Sequence, residues 1–94
     1  MATPLSTEEI ADELSTLDGW THEDDSLVNS FTFGNFREAV SFIVRVGFEA
    51  EELNHHPEIT NVYNEVDIAL TTHDAGDKVT KRDVKLAGRI SQIA

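Results

Sequence analysis

Apolar residues recur at helical spacing in three segments of the chain, and each segment follows a polar residue suited to an N-cap. In the first segment, Ser6 and Glu9 fit a capping box, with Leu5 and Ile10 as the hydrophobic staple around it. Asp18-Gly19 is expected to stop this helix. The apolar residues assigned to it are Ile10, Leu14 and Leu17.

The other two helices are predicted from similar signals. Asn35 with Glu38 starts the second helix, which ends before Pro57 because a residue preceding proline is pushed out of the helical region. Thr80 with Asp83 starts the third. The apolar residues expected to face the core are Phe36, Ala39, Val40, Ile43, Val46, Gly47, Ala50 and Leu53 in the second helix and Val84, Ala87 and Ile90 in the third.

Two hairpins are predicted between the helices. The first joins residues 20–23 to residues 27–33 across Asp24-Asp25, and the second spans residues 61–72 with a turn near residues 63–65. In the second hairpin Val66, Ile68 and Leu70 share the core face, and the same alternation leaves His73 on the other face. The order α-β-β-α-β-β-α predicts an α+β fold, with an antiparallel four-stranded sheet and three helices on one face, in a single domain over residues 1–94.

The composition narrows the class of protein. A chain of 94 residues makes a modest core, so association with another copy would help it. There is no cysteine, no apolar run of the ~20 residues needed to cross a bilayer, and no signal-peptide pattern in residues 1–9. We therefore expect a cytoplasmic protein without a membrane partner.

The charge is strongly negative, because seven Lys and Arg face 18 Asp and Glu, a net charge of −11. Such a surface repels phosphate backbones, so a nucleic-acid partner is not expected. Adaptation to high salt explains the charge more simply than a functional role does. The last third of the chain is less acidic than the rest, because it contains five of the seven basic residues: Lys78, Lys81, Arg82, Lys85 and Arg89.

Three of the four histidines are the candidate catalytic residues. His55 and His56 stand where the second helix ends, and His73 stands where the last strand ends, so the three imidazoles could share one small cleft. The negative end of a helix dipole favours a protonated imidazole, and Glu51, one turn before His55, can accept its N–H. A histidine in this setting is suited to general acid catalysis near neutrality.

Each residue also has an ordinary explanation when taken alone. His55-His56 can be an exposed helix end, Glu51 a solvated carboxylate, and Asp83 one half of a helix cap. His22 lies in an acidic strand end and is interpreted as a surface residue. A metal site built from His55, His56, His73 and an acidic residue is disfavoured, because adjacent residues on a helix diverge by about 100°.

The joint spacing of these residues resembles the pterin-4a-carbinolamine dehydratases. The motif comprises Glu51, His55-His56-Pro57, Tyr63, His73 and Asp83, separated by three, five, nine and nine residues. Gly19-Trp20, Thr72-His73 and Arg82-Asp83 are also similar, and the resemblance runs from Trp20 to Ile93. Asn54 is a departure, since an acidic residue is common at that position.

The resemblance implies a reaction, a site and partners. The reaction is the loss of water from a 4a-hydroxytetrahydropterin to give quinonoid dihydropterin, the activity of a 4a-hydroxytetrahydrobiopterin dehydratase, with no metal and no cofactor. His55 and His73 would be the acid/base pair, His56 would chiefly bind the ring, and Glu51 would orient His55. The residues implied in substrate binding are His55, His56, Pro57, Thr72, His73, Asp74, Ala75, Arg82 and Asp83. The expected partners are a small pterin and further copies of the chain, as a homodimer or homotetramer.

Two alternatives stay open. Some animal members of the family also act as dimerisation cofactors of a transcription factor, so a non-catalytic protein-binding module is one of them. The same chemistry on a different reduced pterin is the other. The complete set of Glu51, His55, His56 and His73 favours catalysis.

Overall fold

The computed structural model describes residues 2–94 and has the predicted element order. The helices are α1 (Thr7–Leu14), α2 (Phe36–Leu53) and α3 (Lys81–Ile93), and the strands are β1 (Thr21–Glu23), β2 (Ser26–Thr32), β3 (Glu58–Val62) and β4 (Glu65–Leu70). A 3₁₀ turn, His73–Ala75, lies between β4 and α3. The predicted α+β fold is confirmed. Within residues 2–94, no helix is long and apolar enough to cross a membrane.

The four strands form one antiparallel sheet in the order β1-β2-β4-β3. The alternation predicted for β4 is confirmed, because Val66, Ile68 and Leu70 are buried while Asp67 is exposed. β3 begins at Glu58, three residues before the predicted start of its hairpin, so the strand follows Pro57 directly. Proline favours extended backbone before it, which suits this short passage from helix to strand.

The predicted caps of α1 and α3 are confirmed as complete capping boxes. At α2, the Asn35 side chain accepts from the backbone N–H of Glu38, while the Glu38 carboxylate accepts from the N–H of Gly34 rather than closing a box. Leu17 lies beyond the end of α1 but still joins the core.

The predicted apolar stripe of α2 is partly wrong. Phe42 lies outside the predicted stripe and is fully buried, whereas Phe36 and Val40 belong to the predicted stripe and are exposed. The sheet is covered by the face that carries Ala39, Phe42, Val46 and Ala50. A second apolar row on α2, which we call the outer row, faces away from the core and comprises Phe36, Val40, Val44 and Phe48.

Candidate active site

A cleft of about 240 Å³ contains side chains from the residues that follow α2, the end of β4 and the start of α3. It is lined by Asn54, His55, His56, Thr71, Thr72, His73, Asp74 and Arg82. The structure therefore brings His55, His56 and His73 into one cleft, although they come from two separate parts of the chain.

The end of α2 explains how two adjacent histidines take different positions. Asn54 adopts the left-handed conformation, with φ 50° and ψ 44°, which asparagine tolerates better than most residues. The His55 N–H donates to the Ala50 carbonyl at 3.0 Å, and the Asn54 N–H donates to the Glu51 carbonyl at 3.1 Å. This Schellman arrangement ends the helix and turns the chain. As a result His55 is buried and His56 stays exposed.

His55 is held by a buried carboxylate. Its Nε2 lies 2.5 Å from Oδ1 of Asp83, whose side chain has no exposed surface. Oδ2 of Asp83 accepts from the Thr72 hydroxyl at 2.8 Å and from the Thr80 backbone N–H at 2.9 Å. The Thr72 and Thr80 hydroxyls lie 2.7 Å apart. Asp83 therefore serves at once as the cap of α3 and as the partner of His55.

This contact selects one tautomer of His55 when the Asp83 carboxylate is ionised. An ionised carboxylate only accepts hydrogen bonds, so Nε2 of His55 carries the hydrogen. In the neutral ring the lone pair is then on Nδ1. Within residues 2–94, every buried side-chain nitrogen or oxygen has a hydrogen-bond partner. His55 is thus a neutral base or a protonated acid of fixed orientation.

The Glu51 carboxylate pairs with His56 and not with His55, contrary to the prediction. Its Oε1 lies 2.9 Å from Nε2 of His56, and both side chains are largely exposed. The prediction assumed that helical spacing continues to His55. The left-handed Asn54 breaks that spacing and directs His55 toward Asp83 instead.

His73 pairs with a residue that the sequence analysis missed. Its Nδ1 lies 2.8 Å from Oδ1 of Asp77, just after the 3₁₀ turn. The hydrogen bond and the charge of Asp77 raise the pKa of His73 above its ordinary value, and the charge of Asp74 adds to this. The His73 side chain is 90% exposed, so solvent screens the pair. The i, i+4 spacing was the available signal, but residues 73–77 do not form an α-helix.

The other predicted site residues lie at different depths. Thr72, Asp74 and Arg82 line the cleft, Asp83 lies behind His55, and Pro57 and Ala75 are not among the lining residues. Tyr63 occupies the turn between β3 and β4, is exposed, and does not line the cleft. Thr71 lines the cleft and was not predicted. Among the described residues, no three His, Asp or Glu side chains are grouped so as to hold a metal ion.

These features define a class: a small α+β protein with an imidazole cleft backed by a buried carboxylate. The family model of pterin 4 alpha carbinolamine dehydratase matches residues 3–93, and the chain belongs to this family.

Similar proteins cover the whole chain. A protein of Opitutus terrae, whose name provisionally assigns it to the pterin-4-alpha-carbinolamine dehydratases, is 53% identical over 94 residues, which are 100% of this chain and 97% of the relative. A relative from Christiangramia forsetii with the same provisional name is 50% identical over 93 residues, covering 99% and 95% of the two chains. A crystal structure from Brucella melitensis, described as a transcriptional coactivator/pterin dehydratase, matches with a TM-score of 0.93 at 38% identity, covering 98% and 99% of the two chains.

A more distant structure shows the fold alone. A pterin dehydratase-like protein described as a RuBisCO assembly factor in the alpha-carboxysome has a TM-score of 0.65 at 22% identity, covering 80% of this chain and 86% of its own.

Proposed function

We propose that the protein dehydrates a 4a-hydroxytetrahydropterin to quinonoid dihydropterin and water. The observation that carries the proposal is the position of His55, which is fixed by the buried Asp83 carboxylate in a cleft that it shares with His73 and His56. Membership of the dehydratase family gives the reaction class to which this acid–base arrangement is suited.

The reaction needs one proton delivered and one removed. The C4a–O bond breaks, the departing oxygen takes a proton and leaves as water, and the N5 lone pair forms the double bond to C4a. A ring N–H then gives its proton to a base, so the charge balances. Positioned acid–base groups contribute about 10²–10⁴-fold to such a step.

His73 suits the acid and His55 the base. The raised pKa of His73 keeps its imidazolium populated to higher pH than a free imidazole, so a proton is available for the departing oxygen. His55 donates through Nε2 to Asp83, which leaves the Nδ1 lone pair of the neutral ring to accept the ring proton. Asp83 stabilises the imidazolium that this transfer creates.

Ring binding involves the remaining lining residues. His56, held by Glu51 at 2.9 Å, contacts the planar ring from the exposed side. Thr72, Asp74 and Arg82 border the ring, whereas Pro57 and Ala75 lie outside the lining of the cleft and are left without a substrate contact. The step uses neither a metal nor an organic cofactor, and it recycles the pterin used by an aromatic amino acid hydroxylase.

The test is a stopped-flow assay with 4a-hydroxytetrahydropterin generated in the mixing cell. The protein should accelerate the appearance of the quinonoid absorbance in proportion to its concentration. A rate equal to the buffer rate at every protein concentration would refute the proposal.

A second candidate is a protein-binding role, and the outer row of α2 favours it. Four apolar side chains at four-residue spacing are exposed there, and one of them, Phe48, is 69% exposed. The similar Brucella melitensis protein is described as a coactivator as well as a dehydratase. This role is compatible with catalysis, because none of the four residues lines the cleft.

A further inference from the structure

A cavity larger than the cleft is also lined by Arg82. Its volume is about 520 Å³, it is open to solvent, and it is lined by the N-terminal segment and the start of α3. The lining residues are Ala2, Thr3, Pro4, Leu5, Glu9, Thr80, Lys81 and Arg82. Arg82 also lines the cleft, so the two spaces share one side chain.

The volumes of the cleft and the cavity fit different parts of one ligand. The cleft, at about 240 Å³, is smaller than the ~300–1,000 Å³ usual for a small-molecule site. The cavity at Arg82 falls within that range. Because Arg82 lines both spaces, the cavity is within reach of a substituent that the cleft is too small to hold.

Backbone hydrogen bonds fix the position of the N-terminal segment that lines the cavity. The Leu5 N–H donates to the Val79 carbonyl at 2.9 Å and anchors the N-terminal segment beside α3. The Ser6–Glu9 capping box fixes the start of α1 on the same side. The N-terminal segment that lines the cavity is therefore positioned before any ligand binds.

The lining carries positive charge in a chain of net charge −11. Two other cations of the basic cluster are engaged, Lys78 with Asp25 and Arg89 with Glu49 and Glu52. Lys81 and Arg82 form no ion pair within 4.0 Å among residues 2–94.

One carboxylate also lines the cavity. Glu9 is engaged by Ser6, whose backbone N–H is the main cause of its lowered pKa, with a smaller contribution from the Lys81 charge. Lys81 and Arg82 against Glu9 leave a local charge of +1 at the cavity.

We propose that this cavity binds an anionic substituent, a phosphate or a carboxylate, on the pterin that occupies the cleft. Lys81 supplies one cation that does not touch the ring, and Arg82 supplies the guanidinium between ring and substituent. Guanidinium and ammonium groups bind such oxyanions by charge-assisted hydrogen bonds. Apolar side chains of Pro4 and Leu5 cover the linking atoms. The proposal rests on the proposed function for the position of the ring.

Equilibrium binding tests the proposal without requiring turnover. Fluorescence titrations at 0.15 M salt compare 6-hydroxymethyl-7,8-dihydropterin with its monophosphate and with a dihydropterin that carries a carboxylate on the same position. At least one anionic ligand should bind about tenfold more tightly than the neutral one. The ligand with the higher affinity shows whether the cavity prefers a phosphate or a carboxylate. Lys81→Gln and Arg82→Gln should each remove most of that preference.

Lys85→Gln is the matched control, because Lys85 is an exposed cation on α3 that does not line the cavity. It should keep the preference. Equal affinity for the neutral and both anionic ligands would overturn the proposal, as would a preference that survives both Lys81→Gln and Arg82→Gln. The protein could bind the anionic pterin with the expected variant effects and yet fail to dehydrate the substrate. That result would support this binding site and refute the proposed reaction.

Discussion

The Nε2 atom of His55 lies 2.5 Å from Oδ1 of Asp83, although the two residues stand 28 positions apart in the chain. One comes from the residue that follows the left-handed end of α2, and the other from the first turn of α3. The contact is buried, and the second carboxylate oxygen is occupied by Thr72 and Thr80. The same carboxylate thus links the cap of α3, the end of β4 and the histidine of the cleft.

Removal of the Asp83 carboxylate should therefore affect stability as well as activity. Asp83→Ala leaves the His55 ring, the Thr72 hydroxyl and the Thr80 N–H without their partner, which should lower the free energy of unfolding by about 2–4 kcal/mol. Urea denaturation measures this change. The control is Asp12→Ala, which removes an exposed carboxylate of α1 and should stay within about 0.5 kcal/mol of the wild type. Equal stability of both variants would contradict the buried network.

Asp77 should set the pH range over which His73 is protonated. Because Asp77 raises the pKa of His73, Asp77→Asn should lower that pKa toward its ordinary 6.5, as measured by NMR titration of the ring protons. The raised pKa also stabilises the folded state below about pH 6.5, and this contribution is lost as the pH rises through the higher folded value.

A matched control exists at the β1–β2 turn. Asp24 and Asp77 are both aspartates with positive φ, 48° and 59°, a region that asparagine also tolerates. Asp24→Asn should leave the His73 titration unchanged. A His73 titration in Asp77→Asn that coincides with the wild type would show that the pair does not form in solution.

Activity should not depend on a bound metal, since the proposed step uses only the protein's own acid and base groups. Exhaustive dialysis against a chelator should leave the dehydration rate unchanged, and elemental analysis should show no stoichiometric zinc, iron or copper. Loss of activity that one added metal restores would overturn this prediction.

The outer row of α2 should mediate self-association, so a different protein would bind there only in place of a second copy of the chain. Burial of four apolar side chains, including the largely exposed Phe48, would compensate for the modest core of a 94-residue chain. The net charge of −11 opposes association, so the multimer should tighten with salt as the Debye length falls from ~10 Å at 0.1 M to ~3 Å at 1 M. Light scattering across that range measures the mass.

Phe48→Glu should weaken the multimer without unfolding the chain, since the side chain makes no part of the core. The same substitution at Phe33 would not be a useful control, because Phe33 packs on the buried Phe42 and its loss would disturb the core. Lys85→Gln on α3 changes an exposed charge elsewhere and should leave association unchanged. A mass near 10.4 kDa for the wild type at every salt concentration would contradict the prediction.

Local signals predicted most of the fold. Capping boxes at Ser6 and Thr80, and strict alternation from Val66 to Leu70, depend on residues a few positions apart, and these predictions are confirmed. The buried face of α2 was harder to predict, because apolar residues occupy two faces of this helix. Which face is buried depends on how the helix packs on the sheet. Sequence periodicity alone does not determine that choice.

The site was predictable as a set of residues but not as a set of contacts. The spacing from Glu51 to Asp83 named the three histidines that the cleft brings together. The partner of each histidine depends on backbone geometry, above all on the left-handed Asn54, which separates Glu51 from His55. The pairing of His55 with Asp83 requires α2 and α3 to meet, a tertiary relationship that no local pattern encodes.

The central claim is that His55 and His73 carry out the dehydration. Stopped-flow rates with 4a-hydroxytetrahydropterin should fall at least tenfold in His55→Ala and in His73→Ala while circular dichroism shows the fold retained. His22→Ala is the control, because His22 lies in β1 and does not line the cleft. The account predicts a wild-type rate for His22→Ala and the tenfold loss for the other two. Wild-type rates in both His55→Ala and His73→Ala would contradict it.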